Sequence, residues 1–207
     1  ASEHRGEYCL ARAELEEATI HDKNGEHGAS AKKYGSVAGR FEKIAQKLKD
    51  ESERNELFFQ ANLCRALEKM ELAQEKADPD LYAEASELFS QTQKITTKKR
   101  NAFLALGNAC FCKALESGTK FKVTPNADLY TTAKQYMEMA AHHYTEAGFE
   151  TASKWTKATQ RLFDAYVYMR NAESEIDPEK KVKHYQLAEK HLDLAARLYE
   201  TAGYLTK

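Results

Sequence analysis

Residues 140–149 read Ala-Ala-His-His-Tyr-Thr-Glu-Ala-Gly-Phe, and residues 195–204 read Ala-Ala-Arg-Leu-Tyr-Glu-Thr-Ala-Gly-Tyr. An alanine pair, a tyrosine at the fifth place and an alanine–glycine step recur in register 55 residues apart. Small, aromatic and small residues at spacings of four and three share one face of a helix. The glycine after them suits a left-handed helix end. Each stretch therefore predicts the last turns of a helix that packs closely against a neighbour.

Working outward, Tyr130-x-x-Ala133 matches Tyr185-x-x-Ala188 at the same offset. A second offset, 48, carries Cys64-Arg-Ala-Leu-Glu68 onto Cys112-Lys-Ala-Leu-Glu116. It also carries Asp78-Pro-Asp-Leu-Tyr82-x-x-Ala85 onto Asn126-Ala-Asp-Leu-Tyr130-x-x-Ala133. A further step back reaches Tyr34, followed by Val37, Ile44, Ala45 and Leu48; this copy is the weakest, with Gly35 and Gly39 inside it. Internal repetition at this period reads as stacked supersecondary units, none of which can bury its apolar face alone.

Each unit reads as two helices. Second helices are expected over roughly 28–49, 79–94, 127–147 and 178–202. Asp78-Pro79 and Asp177-Pro178 pair a helix cap with proline at the first helical position, where the missing N–H costs nothing. Asn126 can cap the third, just after Pro125. First helices are expected over roughly 5–21, 52–76, 98–117 and 150–175, from apolar residues at spacings of three and four such as Phe59, Leu63, Ala66, Leu67 and Met70. Residues 118–125, Gly-Thr-Lys-Phe-Lys-Val-Thr-Pro, read as a loop. No period-two stretch is long enough for a strand. The small residues Ala140 and Ala195 are expected at buried helix contacts.

Composition agrees with this reading. The 207 residues contain only nine glycines and three prolines, too few for a turn-rich fold. A net charge of −1 argues against nucleic acid as partner, and 30% charged residues argue against membrane insertion. Cys9, Cys64, Cys110 and Cys112 lie in apolar helical patterns without zinc-site spacing. They predict free core thiols in a reducing, cytoplasmic setting.

The stretches Ala140-x-x-x-Tyr144-x-x-Ala147-Gly148 and Ala195-x-x-x-Tyr199-x-x-Ala202-Gly203 resemble the second half of a tetratricopeptide repeat. The period near 50 departs from that family's 34, the first-helix Trp…Leu-Gly…Tyr pattern is missing, and Thr92, Thr96 and Lys99 break the motif in an earlier copy. The longer helices look more like those of soluble attachment proteins. The resemblance implies an all-α fold, a right-handed superhelix of about eight antiparallel helices in four pairs, approximately 5–49, 52–94, 98–148 and 150–203. It also implies a noncatalytic scaffold that binds a protein or peptide in a groove. The alternative is a regulatory or sensor module of a longer signalling or enzyme chain, an expectation prompted by the abrupt end after Gly203.

No enzyme is expected, because no nucleophile, phosphate-loop or metalloprotease motif is present. No cofactor or metal is expected either. His142-His143 point apart on a helix, and His184 and His191 lie two turns apart. The candidate binding residues are Arg65, Lys113, Lys157, Arg161 and Tyr168. Arg65 and Lys113 are repeat equivalents, while Lys154, Lys157 and Arg161 form a helical row. In tetratricopeptide arrays the first helices line the groove, so a basic row there would select an acidic or phosphorylated peptide. Tyr168 sits two residues from Tyr166, so one of the two is expected to face outward.

Overall fold

A computed structural model describes residues 2–203. The chain forms α1 (Ser2–Lys23), α2 (His27–Lys47), α3 (Glu51–Lys76), α4 (Pro79–Ile95), α5 (Lys99–Val123), α6 (Ala127–Glu146), α7 (Glu150–Ser174) and α8 (Pro178–Thr201). No strand occurs among the described residues. Links are three residues long except for Ala77-Asp78, so consecutive helices turn back on one another and pack as hairpins. The all-helical hairpin superhelix read from the sequence is the architecture observed. No helix among the described residues is long and apolar enough to cross a membrane.

The caps work as their residue types dictate. Asp78 accepts from the amides of Asp80 and Leu81, Asp177 from those of Glu179 and Lys180, and Asn126 from that of Leu129. Asp50 adds an unforeseen cap, accepting from Glu53 N at 2.8 Å. Gly148 and Gly203 take left-handed φ values of 73° and 80°. An alanine there would carry the steric cost of that conformation.

The core is a relay rather than one centre. One apolar cluster joins α1, α2 and α3 through Ala11, Val37, Phe41 and Cys64. The next joins α3, α4 and α5 through Ala66, Phe89 and Cys112. Two more join α5, α6 and α7. Ala140 and Ala195 are 0% and 1% exposed, as their place in the repeat requires.

Two expectations fail. Residues 118–123 are helix, not loop: α5 continues to Val123 because Phe121 is buried edge-on against Phe163, with ring centroids 5.4 Å apart. That contact outweighs the poor helix propensities of Gly118 and Thr119. Cys9 lies on the exposed side of α1, whereas Cys64, Cys110 and Cys112 are buried.

Candidate functional site

The first helices of successive pairs share one cavity of about 490 Å³. Met70 and Gln74 of α3, Phe111 of α5, and Ala152 and Trp155 of α7 form its walls, with Tyr144 of α6 and Phe149 of the α6–α7 link. The α1–α2 turn closes another side with Asp22, Lys23, Gly25 and His27.

Each wall residue is held from behind. Tyr144 is buried and donates its hydroxyl proton to Asn108 Oδ1 at 2.6 Å. Its ring lies against Gly107, where a Cβ would come within 2.8 Å of two ring carbons. Burial raises the Tyr144 phenol well above its ordinary pKa. Phe111 and Trp155 form a corner, their rings tilted by 60° with centroids 4.9 Å apart. Arg100 stacks over Phe149 at 4.7 Å and donates to the Ala147 carbonyl at 3.1 Å. A cation near the start of α5, Arg100, thus caps the end of α6.

The turn at the cavity's edge brings titratable groups from three helices together. Gly25, with φ of 75°, reverses the chain after α1. Its amide donates to the Asp22 carbonyl, and the Glu26 amide to that of His21. Asp22 therefore stands on the last turn of α1 and His27 opens α2. Glu71 of α3 is 1% exposed, and its Oε2 lies 2.9 Å from His27 Nδ1. One turn later, Glu75 Oε2 accepts from the Gly28 amide at 3.2 Å. This supplies the acceptor that Glu26 does not provide as side-chain cap. Burial, reinforced by the charge of Asp22, pushes the Glu71 carboxyl up to about 7. Burial also raises Asp22, with His27 acting the other way.

None of the five residues singled out in the sequence lines this cavity. Arg65 pairs with Glu42 of α2 at 3.4 Å and with Glu68 of its own helix at 3.3 Å. Lys113 pairs with Glu116 at 3.0 Å. Arg161 pairs with Asp164 at 3.3 Å. Asp164 is 1% exposed and also accepts from the Tyr130 hydroxyl at 2.6 Å, with Lys134 3.1 Å away. Arg161 and Lys134 are thus the cations that compensate a buried carboxylate. Lys157 is exposed, and no ion pair involves it among the described residues. Tyr168 is half-buried, its ring stacked on His191 of α8 with centroids 5.4 Å apart. Tyr166 is half-buried against Phe121, so neither tyrosine is fully exposed.

No protein-family model, no curated protein and no solved structure matches this chain.

Sequence reasoning passed over Asp22, His27 and Glu71. They are distant in the chain and match no spacing rule. One signal was available: Glu71 continues the apolar row of Cys64 and Leu67 at spacings of three and four. An acid on a buried stripe needs a partner.

Proposed function

We propose that this chain is a noncatalytic scaffold that binds a segment of a partner protein in the groove formed by its first helices. The observation that carries the reading is the shared cavity, to which α3, α5 and α7 all contribute side chains. Tetratricopeptide-like arrays, which the Ala140–Gly148 and Ala195–Gly203 motifs resemble, present their first helices to ligands in this way. Mixed aromatic and thioether walls suit an apolar side chain of a peptide, because such surfaces gain most from being covered. The cavity therefore supports an apolar anchor better than an acidic one, since Arg65, Lys113 and Arg161 are compensated by carboxylates.

The chain contains one tryptophan, and it stands in the cavity wall. Its fluorescence is thus a local reporter. A peptide library displayed against the purified chain should yield binders with a large apolar residue. Those binders should shift or quench Trp155 emission and be displaced by Phe111→Asp. Binders that leave the emission unchanged and tolerate Phe111→Asp would place the binding surface elsewhere.

A further inference from the structure

We infer that Asp22, His27 and Glu71 form a binding site for a first-row divalent transition metal, with zinc the expected ion. The carboxylate oxygens of Asp22 and Glu71 and a ring nitrogen of His27 all lie within 4.8 Å of one another. Zn–N and Zn–O bonds of about 2.1 Å in tetrahedral geometry hold ligand atoms about 3.4 Å apart. His27 Nδ1 and Glu71 Oε2, hydrogen-bonded at 2.9 Å, would part by about 0.5 Å to reach that spacing. Rotation of the half-buried Asp22 side chain would bring its carboxylate to the same spacing.

The charge balance points the same way. His27 Nδ1 meets Glu71 Oε2 at 2.9 Å. Asp22 brings a second carboxyl to the same place, and Glu71 is sealed from solvent. With both carboxyls ionised the group would carry more negative charge than one imidazole can offset, and a divalent cation would cancel that excess. Lys23 lines the same end of the cavity. One donor comes from each of α1, α2 and α3, so a bound ion would also tie the first helical pair to the second.

The donor set selects the class of ion. An imidazole nitrogen with two carboxylates suits zinc, cobalt or manganese, whereas magnesium and calcium prefer oxygen-only shells. Asp22 and His27 line the cavity while Glu71 stands behind them, so the remaining coordination position faces the cavity. Three protein ligands with one open position is the pattern of an accessible rather than a closed zinc site. The site stands independently of the scaffold reading, because its test reads metal binding alone.

The test titrates the metal-free full chain with zinc and with cobalt salts, by calorimetry and by visible absorption. One equivalent is expected to bind, with cobalt giving the d–d bands of a four- or five-coordinate ion. Glu71→Gln and Asp22→Asn should each weaken binding by at least about tenfold, the lower end of what loss of even an outer-shell partner costs. Exchanging a histidine pair that supplies no donor to the site, His142→Gln with His143→Gln, should leave zinc binding unchanged. Long-range proton–nitrogen spectra of the unaltered chain give a readout that needs no variant: zinc should shift Nδ1 of His27. Binding unchanged in both acid variants, an unshifted His27, or magnesium bound as tightly as zinc would each overturn the assignment.

Discussion

Substituting Gly107 by alanine tests whether the close approach of α5 to α6 is as tight as the structure gives it. Two opposing effects meet at this position. Inside a helix, alanine is more favourable than glycine by about 1 kcal/mol. At Gly107, however, the new Cβ would lie 2.8 Å from Cδ1 and Cε1 of Tyr144. That ring cannot easily retreat, since it is buried and its hydroxyl is tied to Asn108 at 2.6 Å. Overpacking of this kind costs about 1–3 kcal/mol. The expected net effect is a destabilisation of up to about 2 kcal/mol. Gly39 is the internal control: it also lies within a helix, but a Cβ there meets only Arg65 Nη2, at 4.0 Å. Gly39→Ala should therefore stabilise by up to about 1 kcal/mol. The difference between the variants in urea melts isolates the steric cost. Pairing Gly107→Ala with Tyr144→Leu should recover part of the loss, as a coupling between touching residues. If Gly107→Ala stabilised as much as Gly39→Ala, the helix contact and the cavity wall built on it would be misplaced.

Ala140→Leu and Ala195→Leu, at positions 0% and 1% exposed, should each cost about 1–3 kcal/mol in urea melts, and an unchanged midpoint in either would contradict its burial. Burial lowers the pKa of His143, half-buried against Phe103, below 6.5. The unfolded chain therefore takes up this proton first as the solution is acidified. The stability associated with neutral His143 is full above pH 6.5 and is lost as pH falls through that value toward the folded pKa. Replacement by glutamine should flatten the urea-midpoint profile just below pH 6.5, and an identical slope would refute the shift. Cys9 should react with a thiol reagent in the native chain while Cys64 stays protected, being buried with its thiol pushed up to about 12. Equal labelling rates would contradict that contrast.

The helices were legible because their signals are local. Asp78, Asn126 and Asp177 act on amides within three residues, and the alanine–tyrosine rows report burial through spacing alone. The departure at residues 118–123, expected as loop, has the opposite origin. Gly118, Thr119, Thr124 and Pro125 are genuine local breakers, but the continuation of α5 is decided by the contact of Phe121 with Phe163, over forty residues away. The Asp22–His27–Glu71 group was illegible for the same reason. Its members meet only after α1, α2 and α3 have packed, and no periodicity in any one helix announces the others.

The basic row shows what else a repeated cation does. Arg65 and Lys113 are equivalent positions, but so are Glu68 and Glu116, three residues further along in each copy. The sequence thus repeats an i,i+3 ion pair, and both pairs form, at 3.3 and 3.0 Å. Arg161 follows the same rule with Asp164 three residues on. Lys157 has Gln160 at that place and remains exposed. Such pairs are worth only about a few tenths of a kcal/mol on a helix surface, yet an outside anion must compete with each of them for its cation. Asp164 goes further, because it is buried and draws Lys134 and Tyr130 of α6 to the same carboxylate. Recurrence therefore marks what the stacking of helices requires. The residues that do not recur, Glu71 above all, are where this chain departs from its own repeat, and there its specific chemistry is to be sought.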